Sequence, residues 1–440
     1  MSTALRDPFS TVADGIVESP LVAIDTSSWP ALDGIASSGL PVCATWLSPG
    51  GVRGVHGCQV TLGDTEAIHR DGRTAEAAVE GAAQVALARF VWRHGRELAE
   101  RLHVGTATSV PGRAMPLETI AGYSSALRAQ RPGRLGWTSE TSFTWVEGIS
   151  LVRRAPCWLP FQLVSGVRPE GIDEPELRPT VPTGIAVHPD RSRALLHALL
   201  EVVERDAFMV TWLDDLPRTP LDLHGAPEPL GDLLVRFRAS GLRVRAARLS
   251  TDHPIPVAVV VVSDESSSVV GVGVAGRPEL GDAVSVALLR AYGIWQRVRG
   301  TRQDGPVSPR DPSALHGHQR ALWWNAGGRA ARLWSFAAEE TGREAIPVPA
   351  LSRPDAGSEV HRLVDWCRAA GEEVVAVDLV DRRPVERLGH HVVAVVVPGF
   401  HPMHVDETCP ARWSPRLRKL PAALGLPIPA VINATPHPLG

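Results

Sequence analysis

Tyrosine occurs only twice in this 440-residue chain, methionine four times and cysteine five times. The cysteines (Cys43, Cys58, Cys157, Cys367 and Cys409) are scattered without a CxxC pair. That argues against a zinc ribbon and, in a chain without a secretion signal, against a disulfide framework. Each is expected as a small buried hydrophobe. An excess of charge of one sign is lacking too: the formal net charge is −3 and the pI near 6.6, so neither nucleic acid nor a membrane surface is an expected partner. No uninterrupted stretch reaches about 18 apolar residues, and Arg6, Asp7 and Pro8 stand where a signal peptide needs an apolar run, so the expected location is cytoplasmic. There is no Ser/His/Asp order, no HExxH, no Walker loop and no GxGxxG opening a helix, which leaves hydrolase and dehydrogenase readings little support. The one lookalike, GVGVAG at Gly271 to Gly276, lies within a valine run and is better read as a place of close backbone approach.

What the chain does have is 47.2 kDa with 44% apolar residues, enough for one large composite domain or two lobes. Its most informative stretch is VPTGIAVHPDRSRALLHALLEVVERDAF, Val181 to Phe208. Pro189 suits a first helical turn, Asp190 and Ser192 offer oxygens to the free amides there, and the leucines recur at helical spacing, which predicts a helix of about five turns. Leu195, Leu199, Val202 and Asp206 fall on one stripe of it, and Ala194, His197, Glu201, Glu204 and Phe208 on another. Two carboxylates with small neighbours suit a hydrated magnesium ion on a nucleotide phosphate. Glu201 and Arg205, four residues apart, equally suit an ordinary ion pair.

Along the rest of the chain, residues 1–30 read as a loose arm with a short strand at Leu21 to Ile24. LPVCATWL and VHGCQVTL predict a hairpin around Gly50 and Gly51, followed by an amphipathic helix over Thr74 to Leu102. TWVEGISLVRRAPCWLP, Thr144 to Pro160, predicts two strands around a turn at Arg153 to Pro156. Leu216 to Pro229 reads as a connector and Leu230 to Ser240 as a helix. RVRAAR and PVAVVVVSD read as strands, the second central because Val257 to Val262 is continuously apolar. A VVGVGVAG strand, a helix over Gly281 to Val298, a Trp323/Trp324 stretch and a closing helix, strand, strand pattern at Glu359 to Gly399 complete the expectation.

HALLEVVERDA, His197 to Ala207, resembles the second nucleotide-binding motif of the YcaO family, roughly HALxExxERDA. Thr144 to Pro160 resembles that family's WxxGxxL…PxxxP segment, and Pro398 and Gly399 its strand ending in PG. The resemblance covers about residues 30–440. It implies an α+β fold of mixed and antiparallel sheets flanked by helices, one large domain over 31–440 after the arm. It further implies ATP-dependent activation of a peptide backbone amide in a ribosomally made precursor, giving an azoline or an amidine. Mg2+ would be held by Glu201 and Glu204, nucleotide by these with Arg89 and Arg205, and a proline-rich tail, here Pro436 to Gly440 with Pro438 and Gly440, would reach into the active site. Expected partners are the precursor peptide and a leader-binding protein or a second YcaO protein, and the chain is a candidate homodimer.

Two of the three nucleotide motifs depart from the pattern. AAQVALAR, Ala82 to Arg89, keeps the arginine of SxxExxER but sets Ala82, Val85 and Ala88 where the serine and two glutamates belong. Asp71 stands near an expected lysine. Where ALxExxQxR is expected, Arg290 takes the glutamate position and Gly293 the glutamine position, with Gln296 and Arg297 one turn later. Either the metal site is rebuilt from Glu80 or Gln84, or this half no longer binds nucleotide. Hence two functional expectations stand: a divergent peptide-modifying enzyme, or a catalytically silent subunit that binds peptide or supports an active partner.

Overall fold

In the computed structural model, the described residues are 22–47, 51–94, 102–167, 172–264, 269–303, 318–337, 346–349, 355–379 and 389–439. Gly440, most of the N-terminal arm and the 304–317 part of the tryptophan-containing stretch lie outside them. Three sheets and the helices between them form the mixed, largely antiparallel architecture that the sequence led us to expect.

The first sheet has four antiparallel strands in the order Val22–Ala23, Val42–Trp46, His56–Leu62, Ile68–Gly72. Alternation drives it: Cys58, Val60 and Leu62 are buried while their neighbours are not, and they pack on helix Ala75–His94. Strand Ile68–Gly72 and helix Pro30–Ser37 were not anticipated. Neither carries a long periodic apolar run, and the sheet and helix they join supply most of their burial.

The second sheet runs Val270–Gly276, Val257–Asp264, Leu242–Leu249, Arg218–Asp222, with Ile346–Pro347 added in parallel at the edge. Val257–Asp264 is interior, as its apolar run predicts. The expected connector at Leu216 to Pro229 contains strand Arg218–Asp222, paired to Leu242–Leu249. The third sheet runs Leu102–Gly105, Phe143–Ser150, Val375–Asp378, His391–Val396, Ile185–His188, with Ala155–Pro160 also paired to Phe143–Ser150.

Helix Arg191–Asp214 lies between the second and third sheets, packed on His391–Val396 and Ile185–His188 from one side and on Val270–Gly276 from the other. Asp190 caps it, accepting from the Ser192 and Arg193 amides, and Asp215 in the left-handed region at φ 48° ends it. At 24 residues it is longer than expected, and because it has a sheet on both sides, most of both stripes is buried, with His197 exposed and Glu201 half-buried on the second. Helix Leu280–Gln303 lies directly on strand Val270–Gly276. Gly271 and Gly273 make this possible: a Cβ on either would come 2.1 Å from the Ala291 or Ala287 carbonyl oxygen of that helix.

Among the described residues no helix is long and apolar enough to cross a membrane. Four of the five thiols are buried as expected, whereas Cys43 is exposed. It sits on the outward face of the first sheet's second strand, where alternation outweighs a thiol's preference for burial.

Candidate functional site

Glu201 and Glu204 lie one turn apart on helix Arg191–Asp214, and each is engaged from a different direction. Glu201 Oε2 accepts from the Gly184 amide at 3.0 Å. That residue turns the chain at φ 80°, and a Cβ there would meet the Val395 carbonyl oxygen at 2.5 Å, so only glycine presents this amide to the helix. Glu204 is fully buried. Its Oε1 lies 2.6 Å from Arg290 Nη1 and its Oε2 accepts from the Gly276 amide at 3.2 Å. Burial opposes its charge, but Arg290, Arg205, Arg277 and that amide together hold its carboxyl below the usual range.

Around the two carboxylates stands a shell of guanidiniums. Arg205 Nη2 is 3.8 Å from both Glu201 Oε1 and Glu204 Oε1, and its Nε is buried without a hydrogen-bond partner. Arg70 donates to the His69 carbonyl at 2.8 Å and Arg277 to the Gly276 carbonyl at 2.7 Å. Arg290 also donates to the Val274 carbonyl. Burial, then the neighbouring Arg290 and Arg89, push Arg70 down to about 9, and burial with Arg290 brings Arg277 to about 10. Arg89 is lowered by burial and then Arg205, with Glu201 acting in the opposite sense. Arg70 and Arg277 nevertheless stay protonated at neutral pH.

The C-terminal tail closes one side. The Trp212 indole donates to the Thr435 carbonyl at 2.9 Å, Trp324 to the Pro436 carbonyl at 3.1 Å and Arg320 to the His437 carbonyl at 2.9 Å. Pro438 and Leu439 are buried, and His437 is stacked edge-on against Phe208 of the same helix that carries the carboxylates. Burial, then Arg320, His404 and Arg205, keep His437 neutral, which sets the tail within electrostatic reach of Arg205.

Asp206, on the opposite stripe, belongs to a separate network: it takes Arg416 Nε at 2.9 Å, and the rest of that guanidinium pairs with Asp252. This network pins helix Arg416–Ala423, with Asp206 and Arg416 buried and Asp252 half-buried.

Glu201, Glu204, Arg205 and Arg89 therefore converge, with the tail beside them. Glu80 and Gln84 do not join: Glu80 is exposed and accepts from Gln84 at 3.1 Å. Helix Leu280–Gln303 turns Arg290, which takes the expected glutamate position, inward to Glu204. Gly293 fits there because Asp71, paired with His69 at 2.9 Å, comes within 2.6 Å of where its Cβ would be. Arg70 and Arg277 were missed. Arg70 lies on an unanticipated strand, and Arg277 had only its place at the end of the valine run as a signal.

A divalent ion such as Mg2+ needs several oxygen ligands around one point. The residues present do not fit it. Ala82, Val85 and Ala88 carry no side-chain oxygen, both oxygens of Glu204 are already engaged, and Arg290 sets a positive charge on the atom a metal would use.

The family model of YcaO cyclodehydratase, described as ATP- and Mg2+-binding, matches residues 71–401. A protein of Methanothermobacter thermautotrophicus, itself uncharacterized, is 28% identical over 242 residues, which are 53% of this chain and 58% of that one. The chain thus spans little more than half the length of this curated relative. Among solved structures, a heterocyclase in complex with substrate and cofactor is similar with a TM-score of 0.77 at 18% identity, over 96% of this chain and 59% of that one. A YcaO protein from Methanopyrus kandleri bound with AMPPCP and Mg2+ is similar with a TM-score of 0.60 at 19% identity, over 87% of this chain and 92% of that one.

Proposed function

Because the chain belongs to the YcaO cyclodehydratase family, we propose that it activates a backbone amide of a ribosomally made precursor peptide at the expense of ATP. The observation that carries this reading is the meeting of the Glu201/Glu204/Arg205 face with the buried tail at Pro436 to Leu439, which leaves phosphate-binding groups beside a stiff backbone segment. In the reaction, a side-chain or amine nucleophile adds to the amide carbon and the amide oxygen takes the γ-phosphoryl group. The carbon–oxygen bond then breaks with loss of phosphate. The products are ADP, phosphate and an azoline or an amidine, according to the nucleophile.

The roles follow from the contacts. Arg89 and Arg205 would hold phosphate oxygens and neutralise the charge that develops on them. Glu201 and Glu204 would orient those guanidiniums, and the tail, with Pro438 and Gly440, would border the reacting amide. Such positioning supplies most of what a phosphoryl transfer asks of a protein. The partners would be the precursor peptide and a protein that binds its leader.

The test is ADP release with mass spectrometry of a Cys-, Ser- and Thr-containing precursor candidate, where each azoline ring removes one water from the peptide mass. Peptide-dependent ADP release that is lost in Glu201→Gln is the expected result. Unchanged turnover in that variant would remove the assignment of this face. A second reading, a silent subunit that binds peptide beside an active YcaO partner, is favoured by Ala82, Val85, Ala88 and the Arg290 to Glu204 pair. It predicts no ADP release by the chain alone and a partner's turnover that rises on adding it.

A further inference from the structure

We infer that the cluster of guanidiniums around Glu201 and Glu204 takes an oligophosphate directly, without a divalent cation. This rests on reading the cluster as the nucleotide site of the fold, and it differs from the family description in what balances the phosphate charge.

Five guanidiniums, Arg70, Arg89, Arg205, Arg277 and Arg290, face two carboxylates, Glu201 and Glu204. Asp71, 2.9 Å from His69, adds a third carboxylate on the side of Arg297, a further guanidinium that acts on Arg70, so the cluster keeps its excess of positive charge. Among the described residues Arg89 forms no ion pair, and the Arg205 Nε is buried with nothing to donate to. Crowding like charges away from water is unfavourable unless a counter-charge arrives, because each guanidinium lowers the affinity of its neighbours for their protons. These five residues nevertheless keep partial exposure, so a ligand can reach the cluster. An anion with several charges and many oxygens, spaced along a chain, matches an excess of positive charge spread over three helices and two strands, with Arg89, Arg205 and Arg290 on the helices, Arg70 within one strand and Arg277 just past the end of the other. Guanidinium forks suit phosphate oxygens in paired hydrogen bonds.

The same geometry argues against a metal-bridged phosphate. A divalent cation would add charge to a cluster already positive, and its natural anchor, Glu204, is held by Arg290 at 2.6 Å. Arg290 comes from the helix that Gly271 and Gly273 allow to lie on the strand, so its guanidinium is fixed by packing as well as by charge. It stands where a cation would stand and does part of a cation's work, with hydrogen-bond direction added.

Calorimetric titration of the full chain with ATP, inorganic triphosphate and pyrophosphate, each in EDTA and in excess Mg2+, tests this. Binding in EDTA as tight as, or tighter than, binding in Mg2+ is expected, with affinity falling steeply as salt rises. Arg277→Gln should weaken it about tenfold, as the loss of one charge-assisted hydrogen bond does, while Arg277→Lys recovers part of that and controls for folding. A preference for ATP over inorganic triphosphate identifies a nucleotide ligand, and equal affinity a free oligophosphate. Binding that appears only with Mg2+, or no binding of any of the three, overturns the inference. Magnesium-dependent, peptide-dependent ADP release would overturn it while sparing the proposed reaction. Metal-free ATP binding without turnover would support it and sink that reaction.

Discussion

Arg290 Nη1 and Glu204 Oε1 sit 2.6 Å apart at a carboxylate that solvent does not reach, so a position where the family pattern asks for an acid carries its counter-ion instead. Replacing Arg290 by methionine leaves Glu204 buried with weaker support from Arg205 and Arg277. Breaking a buried pair costs about 3–5 kcal/mol, and those two neighbours put the expected loss at the lower end. The double variant Arg290→Met/Glu204→Met should recover most of it, since an apolar pair of similar volume fills the same space. Urea denaturation of the single and double variants measures this, and an unaltered midpoint in Arg290→Met would show that the pair adds nothing to stability.

The tail is held by three carbonyl acceptors in a row, at Thr435, Pro436 and His437. Removing residues 435–440 leaves the Trp212 and Trp324 indole N–H groups without acceptors and opens the apolar cluster around Phe208 and Leu439. Each unsatisfied buried donor costs about 1–3 kcal/mol, so the truncated chain should melt several degrees lower. Its tryptophan emission should move to the red as water reaches the two indoles. A truncated chain with unchanged melting and emission would mean that the tail is not docked in solution.

How much of this could be read from the chain beforehand depends on the range of the cause. Helix Arg191–Asp214 was legible because its cap, its leucine spacing and its acidic pair are local. So was the hairpin at Phe143–Ser150 and Ala155–Pro160, whose turn residues and alternation lie within one window. Strand Arg218–Asp222 was not legible: its burial comes from a neighbour strand some thirty residues away. The inward turn of Arg290 was hidden for the same reason. Spacing marks a position as an arginine on a helix face, but only the close approach at Gly271 and Gly273 decides which way that face points.

Arg416 is buried between Asp206 and Asp252, at 2.9 and 2.7 Å, and links helices Arg191–Asp214 and Arg416–Ala423. Burial opposes its charge, but the two carboxylates hold the guanidinium proton more firmly than usual. Arg416→Lys keeps the charge but cannot span both acids in the same fork geometry. It should destabilise the fold by about 1–3 kcal/mol and leave phosphate affinity untouched, because this network lies on the far stripe of the helix. Denaturation and titration on one protein preparation separate the two effects. A change in phosphate affinity without a change in stability would contradict the division of the helix into a structural and a ligand-facing side.

Asp214, at the end of helix Arg191–Asp214, is buried, and its Oδ2 has no hydrogen-bond partner. Burial alone pushes its carboxyl up to about 7. The sign of its effect on stability follows directly. Between about pH 4, where an unfolded aspartate releases its proton, and about pH 7, the folded chain holds a proton that the unfolded chain has given up. Stability contributed by this group is therefore intact at low pH and falls as pH rises through that window. Asp214→Asn keeps the shape of the protonated acid and removes the titration. The variant should match the parent near pH 4 and exceed it near pH 8 by on the order of 2 kcal/mol, visible as a higher melting temperature at the alkaline end. Parallel melting curves for the two proteins from pH 4 to 8 would show that Asp214 ionises in the fold as freely as it does in water.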